Sequence, residues 1–289
     1  MVSVDDCKMT FFELPLARLH AVEAGHGPVL IVVPATISEC KDWVPLTRFM
    51  ANWFHVYFFE LPGHGESTPF RSPFSTDLVA EAVEQLLNTL NIERFSVMGF
   101  SFGGILAIKT YQRMREKVDN VILLSPCLTH RAVQLSRTRM KLALSVVRFI
   151  NQPKVRRAFL RILHSPQTVT LAFRFLQLVG KLESTIELRP KLLTISESTL
   201  DVLANQMKEI ATTEFPSPTE KSTTPCFFWM SVNDPVLDFD KTLVVAEKHF
   251  ESVKVVRSDI PYHQPPEPLT YEGLMHDYYE MVDGFLKRQ

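Results

Sequence analysis

The stretch that most constrains the fold is Gly99-Phe100-Ser101-Phe102-Gly103, followed by Gly104. The run Arg94-Phe95-Ser96-Val97-Met98 leads in, and the helical pattern Ile105–Tyr111 leads out. The reading is strand, sharp turn, helix, with a serine at the apex. In so tight a turn the residues two before and two after the serine have no room for a Cβ, and both are Gly. The strain lifts the hydroxyl clear of the sheet and aims the next backbone N–H, that of Phe102, at the same spot. Ser101 is therefore the candidate nucleophile.

The first part of the chain alternates strand and helix patterns around that turn. Leu16–Glu23 and Val29–Val33 read as strands, Asp42–Met50 as a helix, and Phe54–Phe59 as a strand buried on both faces. A loop, Leu61-Pro62-Gly63-His64-Gly65-Glu66-Ser67, precedes an amphipathic helix carrying Val79, Ala82, Val83, Leu86 and Leu90 on one face. Another buried strand, Val121–Leu124, follows the serine helix. This alternation predicts an α/β fold: a mostly parallel central sheet with helices on both faces. From Cys127 to about Pro218 the pattern changes to successive helices, with capping signals at Asn151-Gln152-Pro153 and at Ser198-Thr199-Leu200-Asp201. Strand and helix then resume at Cys226–Met230, Leu243–Phe250, Val253–Val256 and Leu274–Leu286. The expected organisation is a core in two parts, 1–126 and 219–289, interrupted by a helical cap at 127–218.

At 289 residues and 46% hydrophobic, the chain is long and apolar enough for a sizeable core. Its formal net charge of −1 gives no bulk attraction to nucleic acid. Cys7, Cys40, Cys127 and Cys226 are scattered without metal-like spacing, which predicts free thiols in a reducing compartment. The start, Met1–Asp6, has neither the cationic nor the apolar region of a secretory leader. No run approaches the ~18 apolar residues of a membrane span. The expected location is cytoplasmic. No phosphate loop or dinucleotide fingerprint is present, so neither metal nor organic cofactor is expected.

A serine hydroxyl needs a base to take its proton and a carboxylate to orient that base. On a parallel sheet the partners belong in loops just after later strands, in the order serine, acid, histidine. Asp234 follows the 226–230 strand directly, with Asp238 and Asp240 as fallbacks at the start of the next helix. Of the histidines beyond it, His249 and His276 fall inside helical patterns. His263 lies in Ser258–Pro266, a loop directly after the last strand, and is the expected base.

Taken together, the serine turn, the Leu61–Ser67 loop, Asn233-Asp234-Pro235 and His263 resemble the α/β-hydrolase fold superfamily, from about Leu16 to Leu286. The resemblance implies a Ser101, Asp234, His263 triad beneath a helical cap. It also implies an oxyanion hole from the backbone N–H groups of Thr36 and Phe102. Two positions depart from the pattern: Val33-Pro34-Ala35 stands where His-Gly is common, and Tyr262 where Gly usually precedes the histidine. Losing one oxyanion donor costs ~10²–10³ in rate, so a badly shaped loop would slow such an enzyme rather than change its class. Phe100 and Tyr262 are expected to touch substrate. The resemblance also implies that His64 braces the nucleophile loop rather than acting as a second base.

The 127–182 stretch has eleven Lys/Arg and no Asp or Glu. Arg137, Lys141 and Arg148 share one helix face, and Lys154, Arg157 and Arg161 another. Leu144, Val147, Val155, Phe159, Ile162, Phe173, Phe175 and Leu178 should form a greasy ceiling. The basic face is either solvated or settles on anionic headgroups or a charged substrate. The expected activity is hydrolysis of a small-molecule carboxylic ester or thioester with an apolar acyl or alkyl portion. Its rivals are carbon–carbon bond hydrolysis with the same triad and a low-turnover ligand sensor. Oligomeric state is not legible.

Overall fold

In the computed structural model, which describes residues 6–170, 193, 195–265 and 268–286, eight strands form one sheet. Its order is β1 (Lys8–Glu13), β2 (Arg18–Ala24), β4 (His55–Phe59), β3 (Val29–Val33), β5 (Phe95–Phe100), β6 (Val118–Leu124), β7 (Cys226–Ser231), β8 (Val253–Ser258). β1 and β2 pair antiparallel, as do β2 and β4, and every pairing from β4 through β8 is parallel. The strand β1 is an addition to the sequence reading. It is an edge strand with an exposed and half-exposed pattern, so it lacks the continuous apolar run that marks the inner strands.

The inner strands alternate strictly between two cores, which is why they read as unbroken apolar runs. Ile31, Val33, Tyr57, Phe59, Val97 and Val121 face one side. There they meet α2 (Thr76–Thr89), α3 (Gly103–Arg113) and α7 (Phe239–His249) through residues such as Val83, Leu106 and Leu243. Leu30, Val32, Val56, Phe58, Met98 and Ile122 face the other, against α1 (Cys40–Met50) and α8 (Tyr271–Leu286) through Phe49 and Phe285. Helices thus cover both faces, and the C-terminal ends of the parallel strands share one rim.

Between β6 and β7 the chain runs through α4 (Arg137–Ile150), α5 (Pro153–Leu163) and α6 (Glu197–Thr212). Local chemistry sets their starts. Ser136 Oγ accepts from the Arg139 N–H, Pro153 opens α5, and Ser196 Oγ accepts from the Thr199 N–H. The last helix thus begins two residues before the cap read from Ser198, because it is Ser196 that satisfies the free amide. The α6 helix rests on the loop after β4: the Thr199 hydroxyl donates to the Gly63 carbonyl at 3.0 Å. Arg156 of α5 pairs with Glu197 at 2.6 Å and with Asp201, both on α6. Phe173, Phe175 and Leu178 of the expected ceiling lie outside the described residues. Among the described residues no helix is long and apolar enough to cross a membrane.

Candidate active site

The serine turn has the expected geometry for a reason visible in its glycines. Ser101 sits at φ +53°, in the left-handed region that non-glycine residues rarely adopt. A Cβ on Gly99 would lie 2.1 Å from the Gly103 carbonyl oxygen, and one on Gly103 would lie 2.8 Å from that of Val33. The strand end, the helix start and the loop after β3 therefore touch backbone to backbone. The Ser101 N–H is tied to Leu124 O at 3.1 Å, and the Cys127 N–H to Ser101 O at 2.9 Å, so β6 clamps the turn from its other side.

The three residues expected to converge do so, although they come from three separate loops. His263 Nε2 lies 2.8 Å from Ser101 Oγ, and its Nδ1 lies 2.6 Å from Asp234 Oδ2. A carboxylate can only accept, so Nδ1 carries the proton and Nε2 is left to receive one from the serine. The other oxygen, Asp234 Oδ1, accepts the N–H groups of Val236 at 2.8 Å and Leu237 at 3.0 Å. Burial pushes the Asp234 carboxyl up. The His263 hydrogen bond, the Leu237 and Val236 amides and the His263 charge outweigh that and hold it below the usual carboxylate range. Of the fallback acids, Asp238 is the N-cap of α7, accepting from the Lys241 N–H.

The remaining expected residues divide. Phe100 stacks on the His263 ring, centroids 5.3 Å apart, and tilts against Trp43 at 6.5 Å. Tyr262 is half-buried and close enough to Tyr278 of α8 to help raise that phenol's pKa, after burial. Phe102 is fully buried at the first turn of α3, where helical amides have no intrahelical acceptor. Thr36 is half-buried in the loop whose Val33-Pro34 backbone crosses Gly103, and the next residue, Ile37, is held at φ +49°. A β-branched residue in that region is strained, and strain of this kind collects where backbone groups must be aimed. His64 is buried, and burial pushes its pKa down to about 4, which leaves it neutral and weakly basic.

Three features were not read from the sequence. Gln134 donates to the backbone carbonyls of Asp234 at 2.7 Å and Leu237 at 3.2 Å, bracing the acid's turn across a hundred residues of chain. Trp43 stacks on Phe58 at 4.9 Å and backs Phe100. Glu60 accepts the Cys40 N–H at 2.9 Å and the Glu66 N–H at 2.7 Å, with His20 Nδ1 3.1 Å away. It thereby ties the start of α1 to the Gly63–Gly65 loop. A carboxylate directly before a glycine-rich loop with spare amides was the available clue.

His20, Cys40 and Glu60 have the donor types of a metal site, with ligand atoms within 4.8 Å of one another. Burial first, and then Glu60, push the Cys40 thiol well up, and the Glu60 oxygens already accept two amides. Backbone amides thus occupy both Glu60 oxygens, while His20 Nδ1 lies 3.1 Å from Glu60 Oε2 with no hydrogen-bond partner among the described residues. The four cysteines are unbridged, and burial pushes Cys127 up to about 12. A shallow depression of about 250 Å³ lined by Gln134, Val232, Asp238, Phe239, Asp240 and Arg257 lies beside the Asp234 turn and does not include Ser101.

The chain belongs to the alpha/beta hydrolase fold family, whose sequence pattern matches residues 28–258. It is 31% identical to an uncharacterized protein of Mycobacterium tuberculosis over 102 residues, 35% of this chain and 30% of that one. It is 26% identical to the pimeloyl-[acyl-carrier protein] methyl ester esterase of Nitrosomonas europaea over 122 residues, 40% of this chain and 45% of that one. The matches thus span less than half the length of these relatives. A thermophilic esterase from Thermogutta terrifontis superposes with a TM-score of 0.67 at 15% identity, covering 97% of this chain and 98% of that one. At that identity the likeness is one of fold.

Proposed function

We propose that the protein is a serine hydrolase that cleaves a carboxylic ester or thioester with an apolar acyl or alkyl portion. The observation that carries the reading is the unbroken hydrogen-bond chain Ser101 Oγ, His263, Asp234, at 2.8 and 2.6 Å. Ser101 Oγ bonds to the substrate carbonyl carbon as its proton passes to His263 Nε2. The imidazolium is held by Asp234 and returns that proton to the departing alkoxide or thiolate. Water, giving its proton to the same nitrogen, then attacks the acyl carbon, and the imidazolium returns that proton to Ser101 Oγ as the acyl–Oγ bond breaks and the acid leaves. The Thr36 and Phe102 amides stabilise the oxyanion at both steps. Phe100, stacked on the imidazole, borders the acyl path, and residues 127–218 act as the cap over it. The expected setting is cytoplasmic, consistent with four unbridged thiols.

The esterase named among the relatives supports ester chemistry in a chain of this kind. The test is a panel of ester and thioester substrates of graded acyl length, run beside Ser101→Ala. Turnover that rises with acyl length and falls by around 10⁶ in the variant supports the reading. Turnover unchanged by the substitution sinks it.

A further inference from the structure

The α4 helix carries more apolar surface than the fold covers. Leu144 and Val147 are half-buried on one side of α4, a helix that packs against α6. Leu142, Val146 and Phe149 follow i, i+4, i+7 spacing on the opposite side and are 64%, 47% and 58% exposed. Ile162 of α5 departs from its expected place: it falls at the edge of the Val155, Phe159, Leu163 arc and turns outward, 51% exposed. Single exposed apolar residues need no explanation, but three along one side of α4 form a stripe, and Ile162 is a further exposed one on the helix that follows.

Cations flank the stripe. Arg137, Lys141 and Arg148 line one edge of α4, with Arg139 on the other. Lys154, Arg157 and Arg161 share the outward side of α5 with Ile162. None of these seven forms an ion pair with a described acid, whereas Arg156, which points inward, is paired with α6. The stretch 127–182 holds eleven of the chain's 31 Lys/Arg and none of its 32 Asp/Glu, so the rest of the surface is acidic by comparison. A second copy docked on the same face would set cations against cations. An anionic lipid surface matches both features: headgroups for the guanidinium and ammonium groups, and acyl chains for Leu142, Val146 and Phe149.

We infer that the exposed side of α4, together with the exposed cations of α5 that follow it, is a docking surface for an anionic lipid bilayer. The apolar side chains enter the headgroup boundary, the cations hold the phosphates, and the acidic remainder of the molecule is repelled and faces water. The inference does not depend on the hydrolase reading.

The test is co-sedimentation of the full chain with phosphatidylcholine vesicles, and with vesicles containing phosphatidylglycerol as a third of the lipid. Binding is expected only to the second. It should weaken sharply between about 0.1 M and about 1 M salt, as the screening length falls from about 10 Å to about 3 Å. Arg137→Glu/Lys141→Glu/Arg148→Glu should lower the partition coefficient roughly a hundredfold. Leu142→Ser/Phe149→Ser should lower it roughly tenfold or more. All five positions are exposed, so melting temperatures should match the wild type. Ser101→Ala should bind as the wild type does, which separates docking from catalysis. Equal binding to both vesicle types would overturn the inference. So would variants that bind like the wild type, or capture of a soluble polyanion such as heparin with no vesicle binding.

Discussion

Acidification should unfold this protein early, and His64 gives a definite share of the effect. The side chain is 2% exposed in the loop between β4 and α2, and neither ring nitrogen has a hydrogen-bond partner among the described residues. Burial pushes its pKa down to about 4. In the unfolded chain an imidazole titrates near 6.5, so between those values the unfolded state binds the extra proton. A depressed histidine pKa therefore makes stability fall as pH drops from about 6.5 toward 4. At about pH 4.5 the loss relative to about pH 8 is about 2.5 kcal/mol. That is a large fraction of the 5–15 kcal/mol typical of a domain, roughly speaking. The assay is urea unfolding of the wild type and His64→Met across that range. Methionine fills a similar volume and leaves no buried polar atom unpaired, so the two should be within about 1 kcal/mol of each other at neutral pH. The variant should then gain on the wild type by about 2–3 kcal/mol at about pH 4.5. A stability difference independent of pH would refute the reasoning, since the imidazole would then titrate alike in both states. Ester turnover at neutral pH should survive the substitution, because this ring lies outside the proton path.

Further outcomes follow from the same geometry. Gly99→Ala should destabilise by about 3 kcal/mol, because its methyl would meet the Gly103 carbonyl and force the start of α3 outward; denaturant melts measure this. Gln134→Leu should lower kcat with little change in KM and cost about 1–2 kcal/mol of stability, since two carbonyls of the Asp234 turn lose their donor. Steady-state kinetics beside a melt would expose a purely global effect as an equal change at an unrelated surface control. The folded pKa of Asp234 is depressed, so its contribution is full above the ordinary carboxyl value of about 3.9 and is lost as pH falls through the lower folded value. Relative to wild type, Asp234→Asn should therefore show its stability deficit at neutral pH and a shrinking one in strong acid.

Much of this was legible in the sequence, for reasons that differ by element. The inner strands announced themselves because burial on both faces requires apolar residues at every position, as in Val29–Val33 and Val121–Leu124. The serine turn was legible because its backbone contacts exclude side chains at two fixed positions. Asp234 and His263 followed from topology, since parallel strands deliver their loops to one rim. The edge strand β1 was missed because half-exposed pairing leaves little apolar signature. Gln134 was missed because its partners lie a hundred residues away and no local pattern records such a bond. The α4 helix shows a subtler limit. Apolar residues occupy two arcs of it, and spacing alone says that both exist but not which one the fold covers.

The claim at the centre is that Ser101 becomes covalently acylated with His263 as its base. The direct measurement is intact mass and peptide mapping after brief exposure to a fluorophosphonate. One adduct is expected, on the peptide holding Ser101, with labelling abolished in heat-unfolded protein and slowed by orders of magnitude in His263→Ala. No adduct in the folded protein, or an adduct on another residue that persists in Ser101→Ala, would contradict the account.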